Sequence, residues 1–275
     1  MRDSQSGSEA LVVLVTGATS GIGKATAELL ASHGLRVFGT SRNPAGKNGN
    51  GYDLIPLDVS ASESVDACVR AVAERTQGRI DVLVNNAGTG IFGASEEVSA
   101  EEAIELFQVN FFGVMRMTSA VLPLMRTRRS GKIINMSSSG GVASLPFAGI
   151  YCATKFALEA YTEALRHEVR PLGIAATIVA PGPVSTPAGD KAMRAERVID
   201  DYAERRRRTD EMGVRAIRNG IDPLRVAKAI LRIIRMQRPA PRYPVGLQAR
   251  ATGVGRSLLP PSAFEAVLRW GMRLG

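Results

Sequence analysis

Histidine, cysteine and tryptophan are scarce in this chain of 275 residues, with two, two and one respectively. His33 and His167 fall in helix-like stretches without serine–acid partners, which excludes a hydrolase triad of the usual kind. Cys68 and Cys152 lack metal-ligand spacing, so no metal site is expected. They read as buried, reduced thiols, and a chain with so little cysteine is expected in the cytoplasm. Long apolar runs are missing too. None reaches the ~20 residues that cross a bilayer, and Leu11 to Val15 is too short for the core of a signal peptide.

What the chain has in excess is positive charge: 35 Lys and Arg against 26 Asp and Glu, a formal net charge of +9. Apart from Arg126, Arg128, Arg129 and the run Arg205 to Arg208, the basic residues are scattered. No aromatic residues interleave with them and no nucleic-acid module is present, so the arginine run reads as a solvated helix face. The balance suits an anionic cofactor.

Short apolar runs alternate with helix-length segments, the pattern of βαβ units around a parallel sheet. Strands are expected at Leu11 to Val15, Leu35 to Thr40, Leu54 to Leu57, Ile80 to Asn85, Lys132 to Met136, Ile174 to Ala180 and near Tyr243 to Val245. Helices are expected over Ile22 to Ser32, Glu63 to Arg75, Glu101 to Met125, Ala153 to Val169 and Pro223 to Met236, the third of them divided near Pro123. The fold class is thus α/β: a doubly wound, Rossmann-type parallel sheet of about seven strands with helices on both faces, in a single domain over 10–275. Residues 1–9 read as disordered, and 246–275 as a C-terminal extension. The charged stretch 187–222 interrupts the alternation just beyond a strand's carboxyl end and reads as a substrate lid.

The loop Thr16-Gly17-Ala18-Thr19-Ser20-Gly21-Ile22-Gly23 links the first strand to the first helix. Glycines there let backbone N–H groups approach a pyrophosphate lying on the helix N-terminus. The second strand ends in Gly39-Thr40-Ser41-Arg42, without the acid that would hold both ribose hydroxyls. Arg42 offers a planar cationic fork for a 2′-phosphate and Ser41 a further donor, so NADP(H) is the expected cofactor. Asp58, followed by Val59, stands where its carboxylate either accepts the adenine amino group or caps a helix near Ser62. Asn86, Ala87 and Gly88 after the fourth strand either wall the adenine side or serve the framework.

Tyr151-Cys152-Ala153-Thr154-Lys155 places a phenol and an ammonium on one helix face. A phenol near pKa 10 is a poor acid at neutral pH, and a nearby ammonium is expected to lower it. Ser138, in Ser137-Ser138-Ser139-Gly140 after a strand, is in register to bond a substrate carbonyl oxygen as charge grows there.

With these motifs the chain resembles the short-chain dehydrogenase/reductase family over roughly Leu11 to Thr186. The resemblance implies hydride exchange between a nicotinamide cofactor and a small carbonyl or alcohol substrate. It makes Tyr151 the proton donor, with Ser138 holding the carbonyl. Lys155 tunes the phenol and binds the nicotinamide ribose, and Asn110 holds a water of a proton relay. It also implies that Pro181, Gly182, Val184 and Thr186 meet the nicotinamide. Gly39 to Asn43 and Arg242 to Gly246 are similar to the 17β-hydroxysteroid and retinol dehydrogenases, which points to a lipophilic substrate. Val142, Leu145 and Phe147 line its pocket or pack in the core. The assembly expected is a homodimer or homotetramer. Two other classes stay open: a cofactor-retaining epimerase or dehydratase, and a non-catalytic NADP(H) sensor. Near the C-terminus, Phe264, Val267, Leu268, Trp270, Met272 and Leu274, interrupted by Arg269 and Arg273, either pack on a subunit or the lid, or dock shallowly on an anionic membrane.

Overall fold

The computed structural model describes residues 9–45, 49–187 and 192–271. Its strands are β1 (Val12–Val15), β2 (Arg36–Ser41), β3 (Asp53–Pro56), β4 (Val82–Asn85), β5 (Ile91–Phe92), β6 (Gly131–Met136), β7 (Ile174–Pro181), β8 (Met193–Arg194) and β9 (Arg242–Val245). Its helices are α1 (Gly21–Ser32), α2 (Ser62–Arg75), α3 (Ala100–Phe107), α4 (Gly113–Arg128), α5 (Gly149–Val169), α6 (Ala203–Arg218), α7 (Pro223–Arg235), α8 (Leu247–Leu258) and α9 (Pro261–Gly271). Seven strands form one sheet in the order β3-β2-β1-β4-β6-β7-β9. Every pairing in it is parallel, as Val13 opposite Val37 and Leu14 opposite Leu83 illustrate. The expected fold is the one observed.

Successive side chains of a strand point to opposite faces, and here each face has its own helices. Val13, Val15, Val82 and Val84 pack with Ala27 and Leu30 of α1 and Val226, Ile230 and Ile234 of α7. Leu14 and Leu83 turn the other way, toward Val65 and Val69 of α2, Met117 and Val121 of α4, and Leu165 of α5. Truncating a fully buried leucine in such a layer costs about 2–5 kcal/mol, so these two cores fix the strand register. The chain adds β2 and β3 on one side of β1, then returns to place β4 on the other. That reversal opens a crevice above the carboxyl ends of β1 and β4, where open α/β sheets take their ligands.

The long central helix is interrupted elsewhere than expected. Pro123 lies inside α4, and the break falls at Gln108–Phe112, a single π-helical stretch. There the Gly113 N–H reaches back to the Gln108 carbonyl. A π turn inserts one extra residue, which re-aims the side chains on either side, and the residue buried here is Asn110. The stretch 187–222 also differs from a plain loop. Its described part contains β8, which pairs in parallel with β5, and the whole of α6. The expected disordered N-terminus falls, except for Glu9, outside the described residues, as do Met272, Arg273 and Leu274.

Candidate active site

The glycine loop is built for close backbone approach. Gly17 and Gly21 have φ of +68° and +54°, conformations that side chains disfavour. A Cβ at Gly21 would stand 3.1 Å from Thr186, so the segment after β7 closes directly onto the loop. A Cβ at Gly23 would lie 2.2 Å from the Gly17 carbonyl, so this glycine serves the packing of helix against loop. Ser20 precedes α1 in extended conformation without a side-chain cap, and no acid stands in the helix's first turn. An uncapped, acid-free helix start behind a glycine cradle fits a phosphate group.

Uncharged hydrogen bonds hold that cradle. Thr16 Oγ1 accepts from the Asn86 and Ala87 N–H groups, both at 2.9 Å. Asn86 Nδ2 donates to the carbonyls of Thr16 and Gly17. Thr40 Oγ1 accepts from the Gly17 N–H, and the Tyr52 hydroxyl donates to the Ala18 carbonyl at 2.8 Å. Asn86 is thereby placed in the framework at the mouth of the crevice. Asn85 ties β4 to β6 through Asn135. Sequence reasoning does not find Thr16, Thr40 or Tyr52; Tyr52 carries no local signal, because its bond spans 34 positions.

At the end of β2, Ser41 Oγ donates to the Asn43 carbonyl and Arg42 is exposed. Asp58 accepts from the N–H and hydroxyl of Ser60, which hold its carboxyl below the ordinary range, with Arg42 and Arg116 adding to the effect. The residue capping α2 is Ala61, so Asp58 caps its own turn instead of the helix. Val59 is buried against Gly113, where a Cβ would approach it to 2.8 Å.

Four residues converge beyond β4 and β6. Ser138 accepts from the Gly140 N–H at 3.1 Å and its side chain bonds the Tyr151 phenol. Ser137 Oγ is buried without a partner and Ser139 opens a 3-10 turn, so Ser138 is the member of the triplet facing the tyrosine. Helix α5 begins at Gly149, earlier than expected, and both Tyr151 and Lys155 lie on it. Lys155 Nζ donates to the Met136 carbonyl at 2.9 Å and sits 5.8 Å from the Tyr151 ring centroid. Asn110 clips onto Thr89 at both its carbonyl and its N–H, each at 2.9 Å, and donates to Thr154 at 3.2 Å. A Cβ at Gly88 would stand 3.2 Å from the Asn110 side chain and 3.9 Å from Lys155 Nζ. Only a bare backbone passes between them.

The electrostatics correct one expectation. Burial pushes the Tyr151 phenol up, with the Ser138 bond opposing. Lys155 is itself pushed down to about 8, because burial disfavours its charge, while Glu159 one turn along opposes the shift. Desolvation thus outweighs the Ser138 bond, and the phenol is lifted instead of lowered. The Asn110 side chain bonds Thr89 and Thr154.

The segment after β7 is fastened from behind. The Gly182 N–H donates to the Val245 carbonyl, and Val184 forms an isolated parallel bridge with Ile221. The stretch 192–222 is fastened by charge. Glu97, whose side chain is wholly buried, accepts from the N–H groups of Ala94 and Ile199 and pairs with Arg206. Tyr202 donates to Glu96 and packs edge-on against Phe147, which has φ of +60° in the loop before Tyr151. In the arginine run, Arg207 and Arg208 pair with Glu211 and Glu204 along α6. Cys68 and Cys152 are buried and unpaired.

Comparison with known proteins agrees with this geometry. Residues 11–197 match the family model described as short chain dehydrogenase. The chain belongs to the short-chain dehydrogenase family. A 3-ketodihydrosphingosine reductase of Bacteroides thetaiotaomicron is 41% identical over 261 residues, 94% of this chain and 96% of that protein. Human 17-beta-hydroxysteroid dehydrogenase type 1 is 37% identical over 209 residues, covering 69% of this chain and 62% of that one. The crystal structure of a short-chain dehydrogenase from Streptomyces avermitilis superposes with a TM-score of 0.81 at 35% identity, over 98% of both chains. The chain is therefore an oxidoreductase of a family that binds a nicotinamide cofactor and acts on small molecules.

Proposed function

We propose that this enzyme reduces a ketone or aldehyde to an alcohol with NADP(H), or runs the reverse reaction, on a lipophilic substrate. The observation that carries the reading is the convergence of Asn110, Ser138, Tyr151 and Lys155 beside a glycine cradle suited to phosphate. When bound, the reduced nicotinamide supplies a hydride to the carbonyl carbon. Ser138 bonds the carbonyl oxygen, where negative charge grows, and the Tyr151 hydroxyl gives that oxygen its proton. A buried phenol pushed up by desolvation holds its proton until the developing alkoxide draws it. The Lys155 ammonium, anchored on Met136, favours the phenolate left behind and stands ready for ribose hydroxyls. Asn110 pins Thr89 and Thr154 and so keeps the floor of the site in register.

Preference for NADP(H) rests on Arg42, exposed just after β2, a strand that ends in Ser41 without an acid of its own. Pro181, Gly182, Val184 and Thr186 form the nicotinamide side, Thr186 meeting Gly21 across the cradle. The lipophilic substrate class is supported by exposed Leu145 and half-buried Phe147 in the loop before Tyr151, and by the ketone named in the Bacteroides relative. The same reading takes the enzyme as a cytoplasmic homodimer or homotetramer, with exposed Phe112 and Phe156 offering an apolar face to a second copy.

A screen of ketones and aldehydes, following the absorbance of NADPH and then NADH, tests all of this. Consumption of NADPH by an apolar ketone is the expected result. Turnover confined to NADH would overturn the cofactor assignment, and no turnover of any carbonyl compound would overturn the reaction.

A further inference from the structure

We propose that α8 and α9 together form a docking surface for the anionic face of a phospholipid membrane. At about 100° per residue, Leu247, Val254 and Leu258 fall within about 40° of one another on α8. All three are exposed, Leu247 by 83% and Leu258 by 76%. The opposite side of the helix faces the protein: Ala249 is buried and Gly253 lies beside Arg242. Helix α9 repeats the arrangement. Phe264 is buried against Gly255 under the Arg256 guanidinium, 5.5 Å from the ring centroid, and so pins α9 to α8. Trp270 is left 84% exposed and Val267 is exposed beside it.

Charge selects the occupant. From Gly246 to Gly271 the chain carries Arg250, Arg256 and Arg269 against the single acid Glu265. Apolar side chains with tryptophan and arginine at their margin match the boundary between anionic headgroups and acyl chains. A second copy docking face to face would bring the same arginines together, which like-charge repulsion disfavours. Among the described residues no helix is long and apolar enough to cross a membrane, so the contact is peripheral.

The stripe also leads inward. A cavity of about 610 Å³ between α6 and the start of α8 is lined by Met212, Ile221 and Leu247 and reaches Gly182 and Pro183. Leu247 belongs both to this groove and to the exposed stripe, so an apolar molecule lodged in the membrane meets the groove at its lipid end. This route for substrate rests on the carbonyl-reduction reading; the docking does not.

Trp270 is the chain's one tryptophan, so its fluorescence reports this surface alone. With vesicles of phosphatidylcholine and phosphatidylglycerol in equal parts, the emission should shift to the blue and be quenched by brominated acyl chains. The response should fade in phosphatidylcholine alone and at high salt. Val254→Asp with Leu258→Asp should lower vesicle partitioning by on the order of tenfold or more while reduction of a short, water-soluble ketone continues at the wild-type rate. An emission spectrum unmoved by anionic vesicles would overturn the proposal. So would light scattering that finds a dimer in the wild type and a monomer in the double variant, which would make a second copy the occupant. The vesicle measurement involves no turnover, so failure of the proposed reaction is scored separately.

Discussion

The glycine-loop side of the crevice and the side formed by the stretch 192–222 are held by different forces. Around the glycine loop the fastenings are uncharged: the Thr16 hydroxyl under Asn86 and Ala87, the Asn86 amide on two carbonyls, the Tyr52 hydroxyl on Ala18. Across the crevice the stretch 192–222 hangs on Glu97 with Arg206 and Tyr202 with Glu96, while Arg194 with Asp210 ties β8 to α6 within it. Neutral bonds between groups that leave water together are insensitive to salt and pH. Charged contacts respond to both. The difference separates a part that keeps one shape for its ligand from a part whose hold the solvent can loosen.

Four experiments would sharpen or break this contrast. The largest effect belongs to the reacting centre that both sides frame: Tyr151→Phe should lower kcat by about 10²–10⁴-fold and leave the dissociation constant for NADPH, measured by fluorescence titration, nearly unchanged. On the side of the stretch 192–222, Glu97→Ala removes a buried carboxylate from two N–H groups and a guanidinium. It should destabilise the β5–β8 contact by about 3 kcal/mol, read as faster proteolysis within α6 while the glycine loop stays protected from hydrogen exchange. Equal loss of protection on both sides would dissolve the distinction. Because the folded-state pKa of Glu97 is lowered, its contribution is present above the ordinary carboxylate value and is lost as pH falls through the lower folded one. The stretch 192–222 should therefore loosen in acid before the glycine loop does.

Lys155 gives the same direction of pH dependence in a higher window. Its folded pKa of about 8 lies below its ordinary value, so the unfolded chain binds more protons between the two values and stability rises with pH across that window. From pH 7.5 to 9.5 the unfolding free energy of the cofactor-free protein, measured by urea titration, should rise by about 1–2 kcal/mol more than that of Lys155→Met; equal changes would show that the lysine is not desolvated. The smallest effect is expected at the cradle's rim. Arg42→Ala should raise KM for NADPH by about tenfold with little change for NADH, and equal losses for both would remove the phosphate role.

Much of the molecule is legible from local pattern. Buried parallel strands read as unbroken apolar runs, which is why Leu11 to Val15 and Ile80 to Asn85 are recognisable as strands from their residues alone, with ends that shift by a residue or two in the folded chain. The tyrosine and lysine are legible because one helical turn fixes their relation. Less legible are features whose cause lies far along the chain. Pro123 promises a break that α4 does not have, since the helix interrupts itself at the π turn around Asn110. Tyr52, Glu97 and Arg206 give no local signal, because their partners lie 34 and 109 positions away.

The sequence alone determined the alternation of strand and helix, the glycine loop at the first helix, and the family's motif residues. These depend on spacings of a few residues, which backbone geometry converts directly into shared faces and turns. Only the tertiary structure decided that burial lifts the phenol, that the central helix breaks at a π turn around Asn110, and that the C-terminal helices leave their apolar stripe in water. Burial and long-range contact set those outcomes, and both are properties of the packed chain that no short window of sequence contains.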